Sequence, residues 1–188
     1  KVLFSRALRE QDRGGNPEPD LLRSVEANRR GLAINASMPH LHNGIGVAQL
    51  QLARYAWETG RDPGPFLARA DGAFRQATAV APGQVLGWVN LGDLLIWKAR
   101  HGQVAQPLSM LQEAETVLRR ALGASPGDLA AQVNLGRLSA VRMDWFLRHG
   151  GEAASTLAAG EPILARVPTQ DPHQRDARDS QRIDQASG

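Results

Sequence analysis

At 188 residues, 42% of them hydrophobic, the chain is long enough to bury a core as one ordinary domain or as three to four repeat units. Its 22 Lys and Arg stand against 19 Asp and Glu, interspersed along the chain, so a net charge of +3 gives no reason to expect nucleic acid. The absence of cysteine excludes disulfides, thiolate catalysis and thiolate metal sites, and apolar runs such as Leu94-Leu95-Ile96-Trp97 fall far short of the roughly 20 residues a membrane-spanning helix needs.

Ala, Leu, Arg, Gln and Glu recur throughout while aromatic residues make up only 5%, a vocabulary of helices and not of sheets. In chain order, residues 2–10 read as a short helix, closed by the breaker string Gly14-Gly15-Asn16-Pro17-Glu18-Pro19. Helices are expected over 20–34 and 41–59, followed by the turn Gly60-Arg61-Asp62-Pro63-Gly64, then over 65–80, with Pro82-Gly83 marking the next turn. Further helices are expected over 84–100, 107–122, 129–148 and 152–166, with Pro126-Gly127 between the second and third of these. Residues 168–188 are rich in Asp, Gln, Arg and Ser and read as a polar tail or a capping helix. The chain opens on Lys1 without Met or a signal-peptide pattern, and is expected to be a piece of a longer protein, cytoplasmic and without membrane insertion.

The chain repeats itself with a period near 44. Ala70, Phe74, Ala77 and Pro82 recur at the same offsets as Ala114, Leu118, Ala121 and Pro126, more weakly as Gly160, Leu164, Val167 and Pro172, and upstream as Ala27, Gly31, Ile34 and Pro39. A second marker keeps step: Trp88-Val89-Asn90-Leu91-Gly92 is echoed by Gln132-Val133-Asn134-Leu135-Gly136 and loosely by His42-Asn43-Gly44-Ile45-Gly46. Offsets of four and seven put small, large and small side chains on one helical stripe, where small residues admit a neighbouring backbone and the large one fills the groove. Gly46, Gly92 and Gly136 are expected to serve the same close approach from the facing helix, since Gly inside a helix costs about 1 kcal/mol relative to Ala. Units then fall at about 1–39, 40–82, 83–126 and 127–172, in a single domain over 1–167.

These residues resemble the tetratricopeptide repeat (TPR), whose signature sets Trp, Leu and Gly on a first helix and small, aromatic, small and Pro on and after a second. The unit with Trp88, Leu91, Gly92, Leu95, Ala114, Leu118, Ala121 and Pro126 follows the family's order, with Leu in place of two aromatics. The resemblance spans residues 20–172 and implies an all-α fold, a right-handed α-solenoid of about three and a half antiparallel helix pairs. The family's usual period is about 34, and the ten or so extra residues here lie between the two helices of each unit. Stretched units of this kind are similar to those behind the kinase domain of some bacterial serine/threonine protein kinases, where Gly-Arg-Asp-Pro-like turns also recur.

The resemblance implies a protein or peptide partner on the face lined by first helices, with no catalysis and no cofactor. Asn90 and Asn134 hold equivalent places on successive first helices; in the family an Asn there can bond a bound peptide's backbone, whereas the plainer reading pairs each Asn with its neighbouring turn. Residues one turn on extend the candidate site to Asp93, Trp97 and Arg100 in one unit and Arg137, Val141 and Asp144 in the next, although Trp57, Trp88, Trp97 and Trp145 at helical spacing suit the core better than a groove. The five histidines show no metal-ligand spacing; His101 and His149 suit helix C-termini. Gly44-Ile45-Gly46 lacks the rest of a phosphate loop, and Arg29-Arg30 and Arg119-Arg120 belong on solvated second helices. Self-association, a spacer role and a helical enzyme with a site between repeats are the competing readings.

Overall fold

The computed structural model describes residues 2–149. Its helices are α1 Val2–Asp12, α2 Glu18–Ile34, α3 Pro39–Glu58, α4 Gly64–Val80, α5 Val85–Arg100, α6 Pro107–Ala124 and α7 Leu129–His149, with no strand among the described residues. Each boundary lies within two residues of its sequence expectation. The chain divides into two compact units, Lys1–Trp145 and Phe146–Gly188. Of the second unit, only the end of α7 lies among the described residues. The expected helix at 152–166 and the polar segment at 168–188 lie outside the described residues, as do Gly160, Leu164, Val167 and Pro172.

In the first unit, sequence neighbours pack in antiparallel pairs, α1 on α2, α3 on α4 and α5 on α6, and each pair meets the next through α2 on α3 and α4 on α5. First helices α3 and α5 also touch directly, whereas α2 and α4, or α4 and α6, make no comparable approach. Here α3 and α5 lie closer together than the neighbouring second helices do. The stripes expected of the repeat form the core: Ala70, Phe74 and Ala77 on α4 and Ala114, Leu118 and Ala121 on α6 are all buried. Ala70, Phe74, Ala114 and Leu118 join Leu91, Leu94 and Leu95 of α5 and Leu111 of α6 in one cluster, while Ala121 packs with Val89 and Ala131 in a second; removing a side chain the size of Phe74 costs about 3–5 kcal/mol.

The turns repeat as faithfully as the core. First helices end on Gly14, Gly60 and Gly102, each with φ near +70° (76°, 72° and 67°). The amide one residue further donates back across the last helical turn, Gly15 to the Glu10 carbonyl (2.8 Å), Arg61 to Ala56 (2.7 Å) and Gln103 to Lys98 (3.0 Å). This arrangement consumes carbonyls left over at a helix end and needs a residue without Cβ. In the first two turns Asn16 and Asp62 then accept from the Glu18 and Gly64 amides (3.0 and 2.8 Å), starting the second helix.

At the opposite edge a side chain near the start of each first helix reaches back six residues to a turn carbonyl. Trp88 donates to Pro82 (2.8 Å), Gln132 to Pro126 (3.1 Å) and His42 Nε2 to Ala36 (2.8 Å). A carbonyl only accepts, so Nε2 of His42 carries the proton. The sequence marker Trp88, Gln132, His42 is thus a set of N–H donors that hold the turn between pairs.

That clamp also corrects the upstream copy. Ala36, not Pro39, stands where Pro82 and Pro126 stand, while Pro39 opens α3, a place where proline's missing N–H costs nothing. Ala27 and Ile34 are exposed, Ile34 at 90%. The same offset puts Ser24, Asn28 and Gly31 in register with Ala70, Phe74 and Ala77, and Ser24 is buried. Two polar residues in the stripe hide the register from a search for apolar ones.

Two glycines of the first helices each face, at close range, the large side chain of the second helix's stripe. A Cβ added at Gly46 would lie 2.4 Å from Phe74 Cε1, and one at Gly92 would lie 2.6 Å from Leu118 Cδ2. At Gly136 no described atom lies within 4 Å; its partner by register, Leu164, is outside the described residues. Gly46→Ala and Gly92→Ala are expected to destabilise the fold by about 1–3 kcal/mol through overpacking, despite the better helix propensity of Ala. Gly72→Ala, on the open surface of α4 with nothing within 4 Å, is expected to stabilise by roughly 0.5–1 kcal/mol. Urea denaturation midpoints at unchanged slope measure both signs.

Candidate functional site

The candidate residues lie on the layer of first helices, and most of them bond to one another. Asp93 on α5 is held from both sides: Arg54 of α3 donates to one carboxylate oxygen and Arg137 of α7 to the other, each at 2.6 Å. Asn90, one turn earlier on α5, donates to Asn43 of α3 at 2.8 Å. Asn134 accepts from Arg137 (3.0 Å), and its amide nitrogen lies 3.5 Å from the Val89 carbonyl. The ladder continues toward the N-terminus, where Gln51 of α3 donates to Gln11 of α1 (2.6 Å) and Gln11 donates to Glu58 (3.0 Å). Each bond crosses from one first helix to the next, or braces a residue that does.

Asn90 and Asn134 both reach across to the neighbouring first helix and not to their own turns, and Asn134 is buried. Two guanidiniums share one carboxylate at Asp93, so this part of the face keeps a net positive charge, and the Arg137 side chain is 44% exposed.

Trp97 is buried, at 7% exposure. Its ring stacks on His101 (centroids 4.2 Å apart, planes 21° apart), and Trp57 of α3 meets both edge-on at 6.0 and 5.4 Å. Trp57 is the exposed member of this corner. Val141 is half-buried against the core. Arg100 is exposed at the end of α5 and makes no ion pair among the described residues. His101 closes the same helix, its Nδ1 2.9 Å from the Trp97 carbonyl, as its place at a C-terminus predicted. Among the described residues no three His, Cys, Asp or Glu side chains gather as metal ligands do, and no helix is long and apolar enough to cross a membrane.

Sequence reasoning missed Asn43, Arg54 and Gln11, and it assigned to the core Trp57, which is 44% exposed at the end of α3. Asp93 and Arg137 occupy one register on adjacent helices, so that pair was legible. Arg54 lies two turns beyond the same register, and only the length of an Arg side chain brings it back to Asp93. Asn43 lies one residue away from the position equivalent to Asn90.

No protein-family model matches the chain, and no curated protein matches its sequence. Among solved structures it is similar to the NMR structure of the first TPR domain of the human RPAP3 protein, at 16% identity over 76% of this chain and 91% of that one, with a TM-score of 0.52. The fold is TPR-like. Two further structures are similar at lower TM-scores. One is the first TPR of Spaghetti (RPAP3) bound to the HSP90 peptide SRMEEVD, with 17% identity, 73% and 88% coverage and a TM-score of 0.49. The other is a mutant of the Thermobaculum terrenum O-GlcNAc transferase, with 21% identity, 79% and 26% coverage and a TM-score of 0.47.

On this TPR-like frame a second charged cluster braces α6 against α7. Glu115 accepts from Arg119 on its own helix (2.9 and 3.1 Å) and from Arg142 of α7 (2.7 Å). Burial pushes the Glu115 carboxyl up, but the bonds from Arg142 and Arg119 outweigh it and hold the group below its usual value. A carboxylate whose folded pKa is depressed adds stability above its unfolded pKa and loses it as pH falls through the folded value. Glu115→Gln is therefore expected to lower the melting temperature at pH 7, and the gap to the unaltered protein is expected to close as pH falls toward 3 in a thermal-melt series.

Proposed function

We propose that this chain is a protein- or peptide-interaction module that receives an extended partner segment along its layer of first helices. The observation that carries the reading is the joining of two unlike elements on one face. A polar ladder from Asn43 and Arg54 to Asp93 and Arg137 is pre-formed by its own hydrogen bonds, and beside it stands the aromatic corner of Trp57, Trp97 and His101 with Arg100 open at its edge. Pre-ordered side chains lose little entropy on binding, and Trp and Arg are enriched among the few residues that dominate interface energetics. On this reading Arg137, Arg100 and Trp57 touch the partner, while Asp93, Asn90 and Asn134 hold the contacting groups in place and Trp97 and Val141 support the surface from beneath.

The finer reading places the module in a larger bacterial protein, as a regulatory segment beside a serine/threonine kinase domain. Its supports are the stretched units of about 44 residues and the turn Gly60-Arg61-Asp62-Pro63, both features of sequence.

Selection from a random linear peptide library, followed by calorimetry on the enriched peptide, tests the site. Trp57→Ala and Arg137→Ala are expected each to weaken binding about tenfold or more, equivalent to about 1.4 kcal/mol, with helicity retained by circular dichroism. Arg69→Ala, on the second-helix face, is expected to leave the affinity unchanged. A peptide whose affinity ignores Trp57 and Arg137 but falls with Arg69 would move the site to the other face.

A further inference from the structure

Antiparallel pairs put every turn between units, α2–α3, α4–α5 and α6–α7, on one edge of the first compact unit, and every turn within a unit on the other. The two edges differ in chemistry. The within-unit edge carries Glu10, Asp12, Glu18, Asp20, Glu58 and Asp62. The between-unit edge is nearly free of acid: no Asp or Glu occurs between Glu26 and Glu58, and residues 76–92 contain no charge at all. Asp128 is the exception, and its carboxylate accepts from the Ala131 amide at 2.8 Å, serving the start of α7.

Large aliphatic side chains stand out from this same edge. Ile34 is 90% exposed, Leu86 58% and Leu129 71%, one at each of the three turns, with Val80 also exposed beside Leu86. Around them lie Arg29 and Arg30 near the end of α2 and Arg120 near the end of α6, all exposed and without an ion pair among the described residues, whereas Arg119 is held by Glu115. Arg120 lies over the half-exposed ring of Trp88, 5.2 Å from its centroid.

We propose that this edge is a peripheral contact for an anionic lipid surface. The aliphatic tips sit singly at successive turns, one helix pair apart, and do not merge into one patch or groove. A bilayer interface yields to each tip separately and so can take up all of them without a complementary shape. Tips of Ile and Leu buried to the acyl boundary, a Trp at headgroup depth, and the exposed Arg29, Arg30 and Arg120 make up the composition such an interface selects. Each Arg brought near an anionic leaflet adds to the attraction, and the scarcity of acids at the turns limits the opposing repulsion. The edge is separate from the first-helix face of the proposed partner site, so both contacts can be made at once.

Co-sedimentation with sonicated vesicles tests the proposal, comparing phosphatidylcholine alone with phosphatidylcholine containing one-third phosphatidylserine. The chain is expected to bind the mixed vesicles at least tenfold more tightly than the neutral ones at low salt, with binding reduced at high salt. Ile34→Asp combined with Leu86→Asp is expected to reduce that binding at least tenfold, and Arg29→Glu with Arg30→Glu, which leaves every aliphatic tip in place, to do the same. Leu22→Asp, an exposed leucine at the start of α2 near the other edge, is expected to have no effect. Failure to sediment with anionic vesicles, or binding indifferent to both pairs of substitutions, overturns the proposal. So does concentration-dependent dimerisation that the Ile34 and Leu86 substitutions abolish in the absence of lipid, because the edge would then be covered by a second copy.

Discussion

The contact on which the rest of this structure depends is the meeting of a glycine on a first helix with a large side chain on the second, Gly46 with Phe74 and Gly92 with Leu118. With no Cβ on one side, the ring or the isobutyl group enters the space beside the facing backbone and brings the two helices of a pair together. Ala70 and Ala77, or Ala114 and Ala121, flank the large residue and allow the same closeness along the stripe. Both members of each pair are helix residues of ordinary apolar chemistry, and the selectivity is steric: a methyl group at either glycine has no room. Placing the helices of a pair this closely fixes where their turns begin and end, and so the turns can be short and uniform.

Uniform turns in turn set the register of the layer that carries the candidate site. The αL glycines at 14, 60 and 102 end each first helix at one level, and the reach of His42, Trp88 and Gln132 to a carbonyl six residues back starts the next at one level. With both ends pinned, side chains at equivalent positions on α5 and α7 face each other, and Asp93 meets Arg137 without a long search of rotamers. The extra length of these units lies in the first helices and the turns after them, which places the corner of Trp57, Trp97 and His101 a turn or more beyond the Asp93 ladder. The stretched period thus gives one face two chemistries, charged in the middle and aromatic toward the within-unit edge.

Much of this was legible in the sequence because the relevant signals are local. Helix ends followed from Pro, Gly and Asp strings whose effects act within a few residues, and the small-large-small stripe is a periodicity within one helix. The paired register of Asn90 with Asn134 and of Asp93 with Arg137 followed from the period. What escaped involved reach or an off-register residue. Arg54 arrives at Asp93 from two turns away, Asn43 replaces the expected partner position by one residue, and Trp57 joins the aromatic corner from a helix whose unit has no Trp at the marker site. The first proline misled for a related reason. Pro39 opens a helix where Pro82 and Pro126 follow one, and with Ser24 and Asn28 in the core stripe nothing apolar remained to contradict the wrong alignment.

The ladder also alters what the first-helix face offers a partner. Asn90 and Asn134 are engaged with their neighbours, so recognition would fall to Arg137, Arg100 and Trp57, and the face's geometry rests on the helices being held at glycine distance. A double-mutant cycle between Gly92→Ala and Leu118→Ala, read by urea denaturation, tests that constraint most directly. Leu118→Ala removes the atoms the new methyl group would strike, so Gly92→Ala is predicted to destabilise the unaltered protein and to be neutral or stabilising in the Leu118→Ala background. Equal destabilisation in both backgrounds would contradict the account, because the cost of alanine at position 92 would then have no connection with the side chain it faces.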